Sequence, residues 1–171
     1  MKKTEIEKTK QNYTVTAKIF HWGFVILFSY GISKQVININ QLEDLALLKI
    51  EITFALLFIL FLVARFVYMK RTQKSSLPPN TPRAQKFLAK AVHYGMYIGM
   101  ITIAVSGLII GCLYWLGLKS GILIETIISW HEFSVSSVYW LVGLHLIGAI
   151  YHRFKNDGVW ESMMPTFKRG K

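Results

Sequence analysis

Five histidines are the residues most able to do chemistry in this sequence: His21, His93, His131, His145 and His152. Imidazole is the commonest metal ligand among side chains. His131 and His145 are 14 residues apart, which on a helix puts them on almost the same face, about 21 Å apart along the axis. One metal ion cannot bridge that distance, because its ligand bonds are only about 2 Å long. The spacing therefore predicts two cofactor sites stacked along one helix.

Four long apolar blocks must position these histidines. The chain has 171 residues, of which 53% are hydrophobic, and a helix of roughly 20 apolar residues crosses a membrane. We place the spans at about residues 17–33, 45–69, 87–116 and 122–154. The sequence predicts an all-α integral membrane four-helix bundle over residues 17–154. Residues 1–16 form an N-terminal segment, and residues 155–171 form a C-terminal tail.

The distribution of basic residues predicts the orientation. The net charge is +11, and sixteen Lys and Arg residues lie in, or within a few residues of, the N-terminal segment, the second-to-third connector and the C-terminal tail. The opposite loops carry only Lys34 and Lys119. Because cytoplasmic loops are enriched in Lys and Arg, we expect a multi-pass protein of the bacterial inner membrane with both termini cytoplasmic. This explanation of the charge requires no nucleic-acid partner.

All of the histidines except His152, which is near the inner interface at the end of the fourth span, lie well inside predicted spans. An ionisable side chain there is costly and usually faces the bundle interior. Hydrogen bonding between helices is the alternative explanation. His21 lies about one turn inside the cytoplasmic end of the first span, and His145 lies in the cytoplasmic half of the fourth. The pair is therefore placed to hold a haem iron from two sides. Such ligation fills both axial positions and favours electron transfer.

The chain resembles the prokaryotic cytochrome b561 family, and particularly its small four-helix members, which include superoxide oxidase. The resemblance covers nearly the whole chain and is strongest in the fourth span and the tail. The matching residues are Trp130-His131-Glu132, Gly143-Leu144-His145, Tyr151-His152, Met163-Met164-Pro165, His21-Trp22, Arg65, and His93 with Tyr94 and Tyr97.

The resemblance implies that His21 and His145 hold an inner haem b. It also implies an outer haem held by His131 and by a second-span histidine 14 residues before Arg65, but that position is Glu51. Three alternatives follow. The outer haem is absent and Glu51 is a polar or proton-handling residue; or the haem is retained with His131 as its only strong ligand; or Lys49 or Glu51 is an unusual ligand.

Two further histidines have interpretations outside iron ligation. We expect His93 to contact a haem propionate or a quinone, because the inner iron already has two ligands. His152 lies beside Arg153 and Lys155, and these cations suit haem propionates. Ordinary positive anchors at the inner interface are the alternative for this group.

The predicted function is membrane electron transfer through haem b, with electrons exchanged with ubiquinone or menaquinone. One haem is expected and the second is left open. The resemblance adds superoxide oxidation, which would make the protein a superoxide:quinone oxidoreductase. The rival hypotheses are a cytochrome b subunit that serves a dehydrogenase or hydrogenase partner, and a haem-free membrane scaffold or transport protein.

Overall fold

The computed structural model of the protein describes residues 13–164. Within this range the chain forms helices and no strands, and four of the helices are long and apolar enough to cross a membrane. The elements are α1 (Val15–Ser33), a short 3-10 helix (Ile39–Glu43), α2 (Leu45–Thr72), α3 (Arg83–Trp115), α4 (Ile122–Lys155) and α5 (Val159–Met163). The prediction of an all-α bundle with four membrane spans is confirmed.

Local sequence signals set where the helices begin and end. The hydroxyl of Thr14 caps α1 by accepting from the N–H of Ala17, and Asp44 caps α2 by accepting from the N–H of Ala46. These are preferred N-cap residues, because their side chains satisfy N–H groups that have no partner in the first turn. At its other end α4 stops at Asn156, whose backbone is left-handed with φ 52°, as is common after a helix C-terminus.

The long helices run up and down, so that α1 and α4 border the same gap. We call the end of the bundle near Thr14 and Lys155 the termini end, and the end near Ser33 and Ile122 the far end. Along the chain each long helix packs on the next, most extensively α3 on α4, whereas α1 and α4 hardly touch. Gly99 allows the close α3–α4 packing, because a Cβ there would lie only 2.5 Å from Val138 Cγ2.

Two apolar clusters fill the bundle. The first occupies its middle, and the second lies towards the far end. The buried members of the first are Phe24, Phe58, Leu62, Met100, Ala104 and Val138. Those of the second are Leu42, Leu48, Ile110, Leu113, Tyr114 and Ile124. Most other apolar side chains on the long helices face outwards, which suits a chain whose surroundings are lipid.

The short helix α5 was not predicted by the hydropathy pattern. Residues 156–164, which we call the C-terminal clasp, turn back from α4 and reach α1. Lys18 Nζ donates to the carbonyl oxygens of Met164 at 2.9 Å and Glu161 at 3.4 Å, and Trp22 Nε1 donates to that of Met163 at 3.1 Å. The clasp thus connects α1 with the end of α4 where direct packing between them is lacking.

Candidate functional site

Three histidines from three helices meet in the half of the bundle nearer the termini end. The rings of His21 on α1 and His145 on α4 have centroids 6.4 Å apart, with their planes inclined at 61°. His93 on α3 lies closer to His145, with centroids 5.0 Å apart and nearly perpendicular rings. The structure therefore brings together the two predicted ligands of the inner haem and the predicted neighbour of that haem.

Arg65 on α2 reaches into this histidine group. Its side chain is buried, with only 8% of the residue exposed. One guanidinium nitrogen donates to the hydroxyl of Tyr97 at 2.8 Å, and the other lies 3.1 Å from His21 Nδ1. Its Nε is buried without a hydrogen-bond partner, and no carboxylate of residues 13–164 forms an ion pair with it. A buried cation without an anion is costly, so this site suits a negatively charged ligand.

The hydrogen bonds around these rings indicate where their protons lie. His93 Nδ1 is 2.6 Å from the carbonyl oxygen of Ala89. A carbonyl only accepts, so Nδ1 carries the proton and Nε2 of the neutral ring has a free lone pair. His21 has the opposite arrangement, because a guanidinium only donates. Arg65 therefore makes His21 Nδ1 an acceptor, and the proton of the neutral ring is on Nε2.

Two glycines on α4 leave open space on either side of His145 in the sequence. A Cβ built on Gly143 or on Gly148 would have no heavy atom within 4 Å. On α1 the corresponding space is filled, since a Cβ on Gly23 would lie 3.4 Å from the Phe61 ring. Together with the sparse contact between α1 and α4, this leaves room for a flat molecule beside His145.

A separate cavity of about 320 Å³ lies towards the far end. All four long helices and the loop after α1 line it. Most of the lining is apolar, and includes Phe54 and Phe58. His131 on α4 and Glu51 on α2 both line the cavity, together with Glu132. The position where the resemblance implies a second histidine therefore borders the same cavity as His131.

The far-end cavity lacks a pair of histidines. Its lining includes no histidine other than His131, and Lys49 is exposed and does not line it. His131 Nδ1 is 2.9 Å from the hydroxyl of Ser106 on α3. Glu51 forms no hydrogen bond or ion pair with another residue of the described chain. These residues therefore do not provide the bis-histidine ligation expected of an outer haem.

His152 lies apart from the other histidines and is occupied by protein groups. Its Nδ1 is 2.7 Å from Asp157 Oδ2, and its Nε2 is 3.3 Å from Gln85 Nε2. Asp157 Oδ1 also accepts from the N–H of Val159. With both ring nitrogens engaged and the residue buried, His152 fixes the clasp to α4 and α3 in this structure.

A larger groove of about 630 Å³ between the outer faces of α3 and α4 offers little chemistry. Its lining is apolar apart from the Trp130 indole and several hydroxyl groups, and each hydroxyl already donates to a carbonyl of its own helix. Those donors are Thr102, Ser106, Thr126 and Ser129. The groove is the kind of surface that lipid chains cover.

A comparison with protein-family models decides what this arrangement belongs to. The model described as prokaryotic cytochrome b561 matches residues 12–166. The chain belongs to the prokaryotic cytochrome b561 family. No curated protein and no solved structure shows a significant match. As a member of this family the chain is a membrane b-type cytochrome that binds haem b and transfers electrons.

Some site residues of this cytochrome b561 were not found by sequence reasoning. The sequence does not single out Ser106, because serine in an apolar helix usually bonds to its own backbone and a separation of 25 residues from His131 forms no pattern. Lys18 and Trp22 donate to backbone carbonyl groups, which every residue has, so the residue types at the acceptor positions do not predict these hydrogen bonds. Arg65 and Tyr97 were noticed only through the resemblance, and their mutual hydrogen bond was not foreseen.

Proposed function

We propose that His21 and His145 are the axial ligands of one haem b, and that this haem exchanges electrons with ubiquinone or menaquinone. The observation that carries the proposal is the distance between the two rings. A ring nitrogen lies about 1.2 Å from the imidazole centroid, and a metal–nitrogen bond is about 2 Å long. Two histidines on opposite sides of one iron therefore have centroids about 6.4 Å apart, which equals the observed 6.4 Å.

The same measure argues against His93 as an axial ligand opposite His145. Their centroids are 5.0 Å apart, more than 1 Å too close for an iron between them. His93 Nδ1 donates its proton to a hydrogen bond with the carbonyl oxygen of Ala89, so the lone pair on Nε2 is available to accept a hydrogen bond. We assign His93 to the wall of the site, where that lone pair faces a ligand or an ordered water.

Arg65 supplies the charge that such a haem requires. Haem b carries two propionate groups, and Arg65 is a buried cation with an unsatisfied Nε and no carboxylate partner among residues 13–164. A guanidinium is suited to paired hydrogen bonds with a carboxylate. We therefore propose Arg65 as the propionate partner. His152 is not needed for that role, because Asp157 and Gln85 occupy its ring nitrogens.

Iron binding by His21 requires one proton to change place. His21 Nδ1 accepts from Arg65, so the proton of the neutral ring is on Nε2, and neither nitrogen has a free lone pair for a metal. Ligation through Nε2 needs the neutral ring to carry its proton on Nδ1 instead. Arg65 must then release His21 and turn to another acceptor, a role that a propionate fills. Haem binding and the rearrangement of Arg65 are thus coupled.

The haem supplies reversible one-electron chemistry when it is bound, and two protein ligands leave no iron position for oxygen. We propose that the termini end is cytoplasmic, in a bacterial inner membrane, where quinones are the mobile electron carriers. Superoxide oxidation receives less support. Glu51 and Glu132 border the far-end cavity, and two carboxylates repel an anion.

The rival functions differ from this proposal in what purifies with the protein. A cytochrome b subunit of a dehydrogenase or hydrogenase would have the same haem site but would copurify with its partner in stoichiometric amounts. A scaffold or transport protein would be purified without haem from haem-sufficient cells. The fit of the His21–His145 pair to an iron favours the cytochrome over the scaffold.

Haem content and absorption spectra of histidine variants test the proposal. We expect the wild type to contain one low-spin haem per chain, and His21→Ala and His145→Ala each to lose it, because each removes an axial ligand. His93→Ala should keep a low-spin haem, and Arg65→Gln should retain haem at least several-fold more weakly. A low-spin spectrum that survives in His21→Ala, or that disappears in His93→Ala alone, would contradict the assignment.

A further inference from the structure

His131 presents a hydrogen-bond acceptor at the far-end cavity. The hydroxyl of Ser106 has one proton and lies 2.6 Å from the carbonyl oxygen of Thr102, which can only accept. That proton is therefore used, and the contact of 2.9 Å between the Ser106 hydroxyl and His131 requires His131 Nδ1 to be the donor. The neutral ring, whose proton also faces the backbone carbonyl of Ile103, then has a lone pair on Nε2.

Glu51 provides a second acceptor from another helix. Glu51 lines the same cavity from α2, and its carboxylate has no hydrogen-bond or ion-pair partner in the described chain. A carboxylate is one of the strongest acceptors among side chains. The cavity therefore has acceptors on α2 and α4 that neither protein donors nor an ion pair satisfies.

The remaining walls restrict the kind of ligand. They are mainly apolar, with aromatic rings from Phe54 and Phe58 and aliphatic groups from Ile103 and Val138. Pockets of this kind bind small molecules with an apolar body and a few placed polar groups. Anions are disfavoured by Glu51 and Glu132 at the cavity. A neutral donor enters the site at less cost than a cation does, because a cation must lose its hydration to pass through the apolar surroundings.

We propose that this cavity binds a membrane hydroquinone, whose two hydroxyl groups donate to His131 Nε2 and to the carboxylate of Glu51. A hydroquinone has an apolar ring and two O–H donors, and it reaches the site through lipid. This inference rests on the proposed electron-transfer function and gives its quinone a location. Val138, at the wall of the cavity, is seven residues before His145, or about 10 Å along the helix axis.

The same two side chains can accept the protons of the reaction. Oxidation of a hydroquinone to a quinone breaks two O–H bonds and releases two protons and two electrons. One proton passes to His131 Nε2 and the other to Glu51. The oxidant would be ferric haem held by His21 and His145, which takes up one electron at a time, so one hydroquinone would supply electrons for two ferric haems. Glu51 thus acquires a role that a histidine bound to iron at this position could not have.

Binding measured without electron transfer tests the site. The purified holoprotein, kept fully reduced with dithionite, is titrated in a calorimeter with 2,3-dimethoxy-5-methyl-1,4-benzohydroquinone. We expect saturable binding that is weakened about tenfold in Glu51→Gln and in His131→Ala, since each loses a strong acceptor. Ser106→Ala should weaken binding several-fold, because the proton of His131 is then no longer held on Nδ1 and can move to Nε2, where it removes the acceptor. Glu125→Gln removes an exposed carboxylate of α4 that does not line the cavity, and it should bind like the wild type.

Each outcome decides the proposal. Equal affinity in the wild type, Glu51→Gln and Ser106→Ala would overturn it, and so would a second haem in the wild type that His131→Ala removes. Ser106→Ala and Glu51→Gln change few atoms, so they keep the test decisive if His131→Ala does not fold. Loss of the haem in every preparation would contradict the proposed function, while calorimetry would still report whether the cavity binds the hydroquinone.

Discussion

At the scale of single residues, the two ends of the bundle differ because one histidine position carries a carboxylate. At the termini end, His21 and His145 face each other at the spacing of two ligands of one iron. At the far end, His131 shares its cavity with Glu51. A neutral imidazole is a good haem ligand, whereas a carboxylate is a poor one and instead accepts hydrogen bonds and protons. We propose that Glu51 gives a proton-accepting role to a position that the resemblance assigns to a metal ligand.

Restoring the histidine should restore a second haem. We expect the double variant Glu51→His, Ala55→Gly to bind two haems per chain where the wild type binds one. The first change supplies an imidazole on α2, and the second removes a methyl group from the cavity lining. The pyridine haemochrome assay gives the haem-to-protein ratio. Adding His131→Ala to the double variant should return the ratio to one, and a ratio that stays at one in the double variant would contradict the explanation.

At the scale of elements, the C-terminal clasp compensates for the weak packing between α1 and α4. The clasp is fixed to α4 and α3 by His152, which bonds Asp157 and Gln85. It is fixed to α1 by Lys18 and Trp22, which donate to its carbonyl oxygens. α1 carries His21 and α4 carries His145, so the clasp holds together the two helices that supply the proposed ligands.

Loosening the clasp should therefore speed haem loss without unfolding the bundle. We expect the double variant Lys18→Met, Trp22→Phe to transfer haem to apomyoglobin several-fold faster than the wild type, because it removes all three hydrogen bonds from α1 to the clasp. The transfer is followed by absorbance. Lys90→Met, which removes an exposed lysine from α3, is the matched control. Equal transfer rates in all three proteins would show that the clasp does not retain the haem.

The clasp also has a predictable pH dependence through Asp157. Burial favours its neutral form, but the hydrogen bonds from His152 and the Val159 N–H, with the nearby charge of Lys155, lower its pKa overall. A lowered pKa means that these interactions stabilise the folded state above the ordinary carboxyl pKa, about 4. The stabilisation disappears as the pH falls through the lowered value.

Thermal unfolding of Asp157→Asn at several pH values tests this linkage. At pH 7 we expect the variant to be less stable than the wild type by about 1.5 kcal/mol, the lower end of the range for hydrogen bonds that involve a charged group. The difference should shrink as the pH falls below 4, where the wild-type carboxylate also becomes protonated. A difference that is the same at pH 7 and pH 3 would contradict the role of the ionised carboxylate.

At the scale of the whole molecule, an even number of spans puts both chain termini at the same end of the bundle. The α2–α3 connector lies at the termini end, and the α1–α2 and α3–α4 connectors lie at the far end. The basic residues are concentrated near the two termini and in the α2–α3 connector. The positive-inside rule therefore predicts that the termini end is cytoplasmic. The haem site would then lie near the cytoplasm, and the hydroquinone cavity would lie towards the opposite face.

Cysteine labelling in intact cells tests this orientation. In a Cys112→Ser background, we expect Ser120→Cys in the α3–α4 connector to react with a membrane-impermeant maleimide. Asn80→Cys, in the α2–α3 connector, should react only after the membrane is broken. Both positions are exposed, so a difference in labelling reports the side of the membrane. The reverse pattern would place the haem site near the outer face.

The amino-acid sequence alone determined the features that depend on local composition and period. Four apolar stretches predicted four spans, and the bounds agree with α1 to α4 within a few residues, because hydropathy acts on each segment separately. Helical periodicity placed His131 and His145 on one face. The resemblance identified the family, which the match over residues 12–166 confirms. The five residues of α5 were missed because so short a helix has no apolar period of its own.

Tertiary structure decided which of these side chains meet. The sequence already predicted His21 as the partner of His145, and the ring distances of 6.4 and 5.0 Å support His21 over His93. These distances depend on how α1, α3 and α4 are rotated and how closely they pack. Helix rotation and packing also determine the contact of Ser106 with His131 and the contacts of the clasp with α1. Such contacts join residues far apart in the chain, and local periodicity carries no information about them.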